Sequence, residues 1–475
     1  MNRNHLSRRD FLRMGMLGTA GMALAACAPQ VVEKTIEVTR EVEVEVEKEV
    51  VVEQTVQVPV EAGREDMVFW PEWGGHEADA LLVQVQKFTE ETGIIVGFLP
   101  IRDHARMIAS MSAGNPPDLL MTWDANAVGS WGFEGVLRDL GPYIEGTGFD
   151  MDALHPMGVK AGNLMGIRQI GLPLTNYITS GFWWNKDAFQ AAGLDPEKPP
   201  ETWEETWETA EKITVLEDGA IMKWGYGILS GQDRHPATMC YCFGGSIYSD
   251  DLRQVTPDDE ANIEALTWMR QFYEKYGADE IRRWQESVNM GADAPTNPFY
   301  TGDLSMVVNG EWIPSFVERL QGDMEVNVGV TYMPYPASKP AVKGTMTANS
   351  NPLVIPTDAK NPDAAFKFIE FISRPENSGE MCTTVGNASP VKEGIPIQLA
   401  GVTSPLYRWL LEVAWTEGNV KSMTLNTPVG ARYMDAFRLA REEVLEDGRD
   451  PLEAMEAVKD EIQPLLDKAL DDLGI

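Results

Sequence analysis

The sequence predicts an α/β fold in which mostly parallel sheets are covered by helices on both faces. Three observations carry that reading. Short, nearly continuous apolar runs recur, as in Met67-Val68-Phe69-Trp70, Ile94-Ile95-Val96-Gly97-Phe98 and Leu119-Leu120-Met121. Segments of helical periodicity alternate with them: Leu81, Leu82, Val85 and Phe88 fall on one face of Ala78–Thr92, which Gly93 ends. No short-period repeat is evident, which excludes a solenoid or propeller. At 475 residues, with 43% hydrophobic residues and fourteen tryptophans, the chain can fill the cores of two or three domains.

The N-terminal stretch is an address rather than a fold. Ser7-Arg8-Arg9-Asp10-Phe11-Leu12 is a twin-arginine pattern, and the apolar run Met14–Ala26 after it is too short to span a bilayer permanently. Leu24-Ala25-Ala26-Cys27 resembles a bacterial lipobox, so residues 1–26 are expected to be a lipoprotein signal peptide and Cys27 the acylated new N-terminus. Residues 27–65 continue as a low-complexity stalk. There Glu and Val alternate with the period of a strand but have no sheet to join. These readings place the protein outside the cytoplasm, lipid-anchored to a membrane on its periplasmic or outer face. The other cysteines are Cys240, Cys242 and Cys382. The Cys-x-Cys spacing suits one side of a strand, and either a disulfide to Cys382 or buried free thiols would satisfy them.

The body begins near residue 66. Its early helices are punctuated by Gly114 and Pro116-Pro117, and Ser180-Gly181-Phe182-Trp183-Trp184-Asn185 has strand character. Asp187–Ala192 reads as a short helix, and Thr202 as the N-cap of another. Ala261–Tyr276, Asn361–Ser373 and the region after Arg432 have clean helical periodicity. In open α/β sheets ligands collect beyond the carboxyl ends of strands. That singles out Trp73, after the first strand, and Trp123-Asp124, after the third.

The order of motifs resembles the family-one extracellular solute-binding proteins of ABC sugar importers, the maltose-binding group. Phe88-Thr89-Glu90-Glu91-Thr92-Gly93-Ile94-Ile95-Val96 and Gly114-Asn115-Pro116-Pro117-Asp118-Leu119 match two of its words. Gly171-Leu172-Pro173 through Trp184-Asn185-Lys186-Asp187 is the longest match. Phe299-Tyr300-Thr301-Gly302-Asp303-Leu304-Ser305-Met306 with Gly310-Glu311-Trp312, and Asn361-Pro362-Asp363-Ala364-Ala365-Phe366-Lys367-Phe368, follow in family order. The resemblance implies a two-lobed periplasmic-binding-protein fold, with hinge strands crossing near Leu172–Gly181 and Lys343–Ser350. One lobe would comprise 66–174 and 346–400, the other 178–343 and 405–475. It also implies capture of a mono- or oligosaccharide in the interlobe cleft, delivery to ABC importer membrane subunits, and a monomer that closes about its hinge.

A sugar presents hydroxyls around an apolar face, so its site needs aromatic platforms beside carboxylates and amides. Trp312 is the leading candidate, because the matching residue of the family lies against the sugar. Trp73, Trp123 and Asp124 follow from the strand-end rule, and Asn176, Tyr177 and Asn349 from the two crossings. Tyr241 and Phe243 are candidates for a wall of the second lobe, whereas the segment Gln232–Pro236 matches nothing in the family.

Other classes have less support. The net charge of −34 supplies no basic stripe for nucleic acid. No nucleophile elbow, zinc-protease motif or phosphate loop occurs, and His5, His76, His104, His155 and His235 are not spaced as metal pairs. No catalytic residue, cofactor or metal is therefore expected. Alternatives are a binding protein for a polyamine, peptide or other organic solute, a secreted carbohydrate-active hydrolase, and a purely structural surface lipoprotein.

Overall fold

The computed structural model describes residues 65–475, apart from 102–103, 124, 293, 321–323, 416–417 and 425. The expected signal peptide, Cys27, nearly all of the stalk and Asp124 lie outside the described residues. Asp66–Ile475 is a compact unit, and two sheets organise it into two lobes.

In the six-stranded sheet the order is Asn419–Ser422, Thr345–Val354, Leu119–Met121, Met67–Pro71, Val96–Phe98, and Gly171–Ile178 pairs with Thr345–Val354 as well. The three N-terminal strands are mutually parallel. Their continuous apolarity follows from coverage on both faces. Phe69, Leu119, Met121 and Leu353 enter a core with Leu81, Val85 and Phe88 of helix Gly75–Thr92, while Trp70, Leu120 and Val354 enter another with Val128 and Trp131. Successive side chains leave a strand on opposite sides, so a doubly covered strand needs apolar residues at every position. The helix stops at Gly93, whose φ of 73° is left-handed, as the sequence predicts.

The five-stranded sheet runs Val328–Thr331, Gly181–Asn185, Leu304–Asn309, Ala220–Tyr226, Val215–Glu217. It corrects the expectation of a mostly parallel sheet in each lobe. Only Leu304–Asn309 with Ala220–Tyr226 is parallel, and the other three pairs are antiparallel. Gly181–Asn185 enters directly from the first sheet after Ile178, without the covering crossover helix that a parallel neighbour requires. The chain returns between Thr331 and Thr345.

The core of this second lobe is aromatic. Trp203 lies 4.6 Å from Trp268, and Trp224 lies 4.9 Å from Trp284. Tyr433, Phe437, Ile462 and Leu466 of the C-terminal helices join the same core. Helix Trp203–Ile213 begins at Thr202, where a reciprocal capping box with Glu205 is formed.

Cys240 and Cys242 correct the strand reading of their spacing. They lie in helix Pro236–Cys242, all of whose residues are buried, so period two over three residues was no guide to the element. Cys240, Cys242 and Cys382 are free and buried. No helix among the described residues is long and apolar enough to cross a membrane.

Candidate functional site

A cavity of about 510 Å³ is lined from both lobes. Trp73, Glu77, Trp123, Tyr177, Asn349 and Asn351 come from the six-stranded sheet and its adjoining turns, while Gln232, His235, Trp312 and Phe316 come from segments packed with the five-stranded sheet. Thr179, Ala292, Asn387 and Met423 complete the wall. Five candidates from the sequence thus share one cavity: Trp73, Trp123, Tyr177, Trp312 and Asn349.

Local chemistry explains the pairing of the first two tryptophans. Strand Met67–Pro71 ends at a proline, and the next residue, Glu72, is completely buried. Its carboxylate accepts the Thr122 hydroxyl and, at 2.9 Å, the backbone N–H of Trp123. Adjacent parallel strand ends are thereby tied, and Trp73 and Trp123 line the same cavity. Trp123 is 41% exposed against 3% for Trp73, so one ring is available as a platform and the other is a packed floor. Asp118 of the Pro-Asp-Leu word is structural: it accepts Val68 N–H at 2.8 Å and Asn361 N–H at 2.7 Å.

Tyr177 and Trp312 meet edge to face across the lobes, with ring centroids 5.9 Å apart. Asn349 directs its amide oxygen to the Thr424 hydroxyl and to Ser350 N–H at 2.8 Å. Asn351, two residues along the same strand, donates to Thr175 Oγ1 at 3.0 Å, and Asn387 donates to the same oxygen at 3.3 Å. The Oδ1 atoms of Asn351 and Asn387 are buried with no protein partner. Unpaired buried acceptors cost free energy, which hydroxyl donors of a ligand would recover.

His235 closes the opposite side. Its Nδ1 accepts Ala237 N–H at 3.3 Å, which leaves the proton of the neutral ring on Nε2. Burial, reinforced by the Arg441 charge, pushes its pKa down to about 4, so the ring is uncharged at neutral pH. The preceding turn is held by Asp233, fully buried, whose carboxylate accepts Leu229 N–H at 2.7 Å and Gly231 N–H at 3.1 Å.

The remaining candidates lie elsewhere. Phe243 is 2% exposed and stacks on Trp203 at 5.6 Å with a 10° interplanar angle, so it belongs to the core. Tyr241 is buried in helix Pro236–Cys242 and is absent from the cavity lining. Asn176 is 1% exposed and bridges to Ala388 through the backbone, behind the wall rather than on it. Sequence reasoning passed over Asn351, although strand period two from Asn349 marks it. It also passed over Glu77, in the first helical turn beyond Trp73. Gln232, His235, Asn387 and Met423 carry no local pattern.

Chemically, the wall offers flat aromatic faces, amide groups and one carboxylate, Glu77, among its described residues. Hydrolysis of a glycosidic bond uses two carboxylates flanking the bond. No group of three or more metal-ligating His, Cys, Asp or Glu side chains occurs among the described residues. A second concavity of about 580 Å³, lined by Asp251, Arg253, Lys459 and Asp471 among others, contains none of the sequence candidates.

Comparison with known proteins follows the same geometry. Residues 84–398 match the family described as bacterial extracellular solute-binding protein. The sn-glycerol-3-phosphate-binding periplasmic protein of Shigella dysenteriae is 25% identical over 290 residues, which cover 58% of this chain and 61% of that protein. The protein of the same description from Pectobacterium atrosepticum is 24% identical over 341 residues, 67% of this chain and 68% of that one. The chain thus spans about three fifths of the length of the first of these relatives. Among solved structures, CpMnBP1 with mannobiose bound superposes with a TM-score of 0.73 at 23% identity, covering 83% of this chain and 98% of that one. Maltose-bound MalE3 of T. maritima gives 0.66 at 19% identity, covering 84% and 99%. These likenesses establish the two-lobed fold.

Proposed function

The chain belongs to the bacterial extracellular solute-binding protein family, and from that premise we infer that it captures an uncharged mono- or oligosaccharide between its lobes. The captured sugar is handed to the membrane subunits of an ABC importer, and the protein itself performs no catalysis. The observation that carries the reading is the cavity wall, where Trp73, Trp123, Tyr177 and Trp312 converge with Asn349, Asn351 and Asn387. Aromatic faces suit the C–H surface of a pyranose, and amides suit its hydroxyls. The proposed lobes are 66–174 with 346–400 and 178–343 with 405–475, working as a monomer held to the membrane by acylated Cys27. Asp124, which directly follows Trp123 in the chain, remains a proposed hydroxyl acceptor.

The relatives named for glycerol 3-phosphate raise an anionic ligand as an option. The described wall favours a neutral one, because its charged side chain is the carboxylate of Glu77 and His235 is held neutral. Glu77 also gives specific support to a second reading, a polyamine seated among the aromatic rings.

The test is a thermal-shift and calorimetric screen of Asp66–Ile475 against mannobiose, mannotriose, maltose, sn-glycerol 3-phosphate and spermidine. A ligand selective for the folded state raises Tm by mass action. A saturable, salt-insensitive shift with a sugar supports the carbohydrate reading. A shift confined to spermidine that weakens with salt selects the polyamine, and one confined to glycerol 3-phosphate overturns both.

A further inference from the structure

Glu311 is 1% exposed, and among the described residues no lysine or arginine pairs with it. It sits between strand Leu304–Asn309 and helix Ile313–Leu320, immediately before the cavity residue Trp312. Its partners come from other parts of the molecule. Its backbone N–H donates to Ile178 O at 2.9 Å, and Ile178 N–H donates back to Oε2 at 3.0 Å. Ala388 N–H donates to Oε1 at 2.6 Å, and the Trp415 indole N–H donates to Oε2 at 3.1 Å. Ile178 ends a strand of the six-stranded sheet, and Ala388 is bridged to Asn176 on that same strand.

A buried carboxyl group without a cationic partner among the described residues is costly, and replacing such a group by apolar side chains is often neutral or stabilising. Its presence here calls for a role besides stability. Burial pushes its pKa up to about 8 even against three N–H donors. The surrounding packing is equally specific. Gly386 has φ +85°, and a Cβ there would meet the Ser315 side chain at 2.8 Å, so the Trp312–Ser315 turn lies flush against the segment carrying Asn387 and Ala388. Trp312 and Asn387, the chain neighbours of Glu311 and of its donor partner Ala388, both face the cavity.

We propose that Glu311 is a positioning residue that clamps the Trp312 turn of the five-stranded lobe to Ile178, the last residue of the crossing strand Gly171–Ile178, and to Ala388, which is bridged to that strand. The clamp sets the gap between the Trp312 ring and the Asn387 amide, which a ligand must fill. It acts through Trp312 and Asn387 without touching the ligand, and it requires a cavity ligand but not specifically a sugar.

The decisive variant is Glu311→Gln, which keeps the volume but replaces one accepting oxygen by an amide nitrogen that cannot accept. Two quantities are read on Asp66–Ile475: the Kd for mannobiose and maltose, and the radius of gyration by X-ray scattering with and without sugar. Phe366→Leu serves as a matched control, since Phe366 packs in the first-lobe core against Tyr143 and Phe149. The expected result for Glu311→Gln is binding weakened about tenfold, the scale of one misplaced buried hydrogen bond. A larger ligand-free radius should accompany it, with neither change in Phe366→Leu at equal loss of Tm. Wild-type Kd and radius in Glu311→Gln, or equal changes in the control, overturn the proposal. If Glu311→Gln does not fold, Trp415→Phe removes a donor and keeps the carboxylate. It should then weaken binding about threefold and loosen the ligand-free radius, and wild-type values for both overturn the clamp. If the wild type binds neither sugar, the carbohydrate reading falls, while the ligand-free radius still decides the clamp.

Discussion

Pro71-Glu72-Trp73 and Gly310-Glu311-Trp312 stand at strand ends in the two different sheets, and in each a buried glutamate precedes a tryptophan of the cavity wall. Glu72 accepts hydrogen bonds from Thr122 and Trp123, which follow the neighbouring strand of its own sheet. Glu311 accepts from Ile178, Ala388 and Trp415, none of which lies in its own sheet. A carboxylate that ties adjacent strands fixes a wall locally. One that ties two sheets couples the wall to the distance between them. The same two-residue context thus separates a structural task from a positioning one by the origin of the donors.

The largest effect should come from the rings. Trp312 is half-buried, so Trp312→Ala is expected to cost about 2–3 kcal/mol of ligand affinity, roughly 30- to 150-fold in Kd, with little change in Tm. Trp73 is 3% exposed and belongs to the first-lobe core, so Trp73→Ala should lower Tm as well as affinity. Calorimetry beside a melting curve separates the two, and equal Tm losses would erase the distinction between platform and floor.

The carboxylates themselves come next. Glu72→Gln should cost about 1–3 kcal/mol of stability, because an amide N–H replaces an acceptor facing two donors. Its Kd should move less than threefold, the reverse of the pattern proposed for Glu311→Gln. Denaturant titration with calorimetry checks both, and a Glu72→Gln variant that loses affinity at unchanged stability would merge the two roles.

A pH profile sharpens the comparison further. Glu311 ionises near 4.5 in an unfolded chain and at about 8 when folded. Between those values the folded state holds a proton that the unfolded state has released, so stability is greatest below about 4.5 and falls as pH rises toward 8. The slope is on the order of 1 kcal/mol per pH unit. The neighbouring Cys382 thiol and Tyr407 phenol are pushed up by burial and stay neutral across this window. His155, against the Trp415 ring, and His235 are both pushed down by burial, so their contribution to stability grows as pH rises toward 6.5 and opposes that of Glu311 below it. Tm measured from pH 6.5 to 8, above the range in which the depressed histidines oppose it, should decline in the wild type and flatten in Glu311→Gln. Equal slopes would show that another group sets the profile.

The sequence made the six-stranded side of the cavity legible, and on the other side made only Trp312 so, through the family resemblance, for physical reasons. Trp73 and Trp123 follow strands that are apolar at every position, and the strand-end rule needs only local pattern. Tyr177 and Asn349 fall on crossing strands whose order is kept by chain connectivity. Tyr241 and Phe243 misled because helix Pro236–Cys242 is buried on every side, so an aromatic there signals the core rather than a wall. Gln232 and His235 are set by a turn that buries Asp233 and holds Leu229 at φ 53°, a conformation without hydrophobic period. Asn387 reaches the cavity through pairing of Ala388 with Asn176, a contact between residues more than two hundred positions apart. The antiparallel neighbours of the five-stranded sheet were hidden for the same reason, since pairing direction is a long-range property.

The smallest test removes one neutral donor from the local tie. Thr122→Val keeps the shape of the side chain, which is fully buried, and deletes the hydroxyl that Glu72 accepts. Trp123 N–H still holds Glu72 Oε2 at 2.9 Å, so the carboxylate is not stranded. The expected cost is about 1 kcal/mol of stability, near the net worth of a single hydrogen bond, with Kd altered less than twofold. A larger loss of affinity, at that small loss of stability, would mean that the Glu72 tie also governs where Trp123 stands. In that case the first-lobe wall would be as finely positioned as the second.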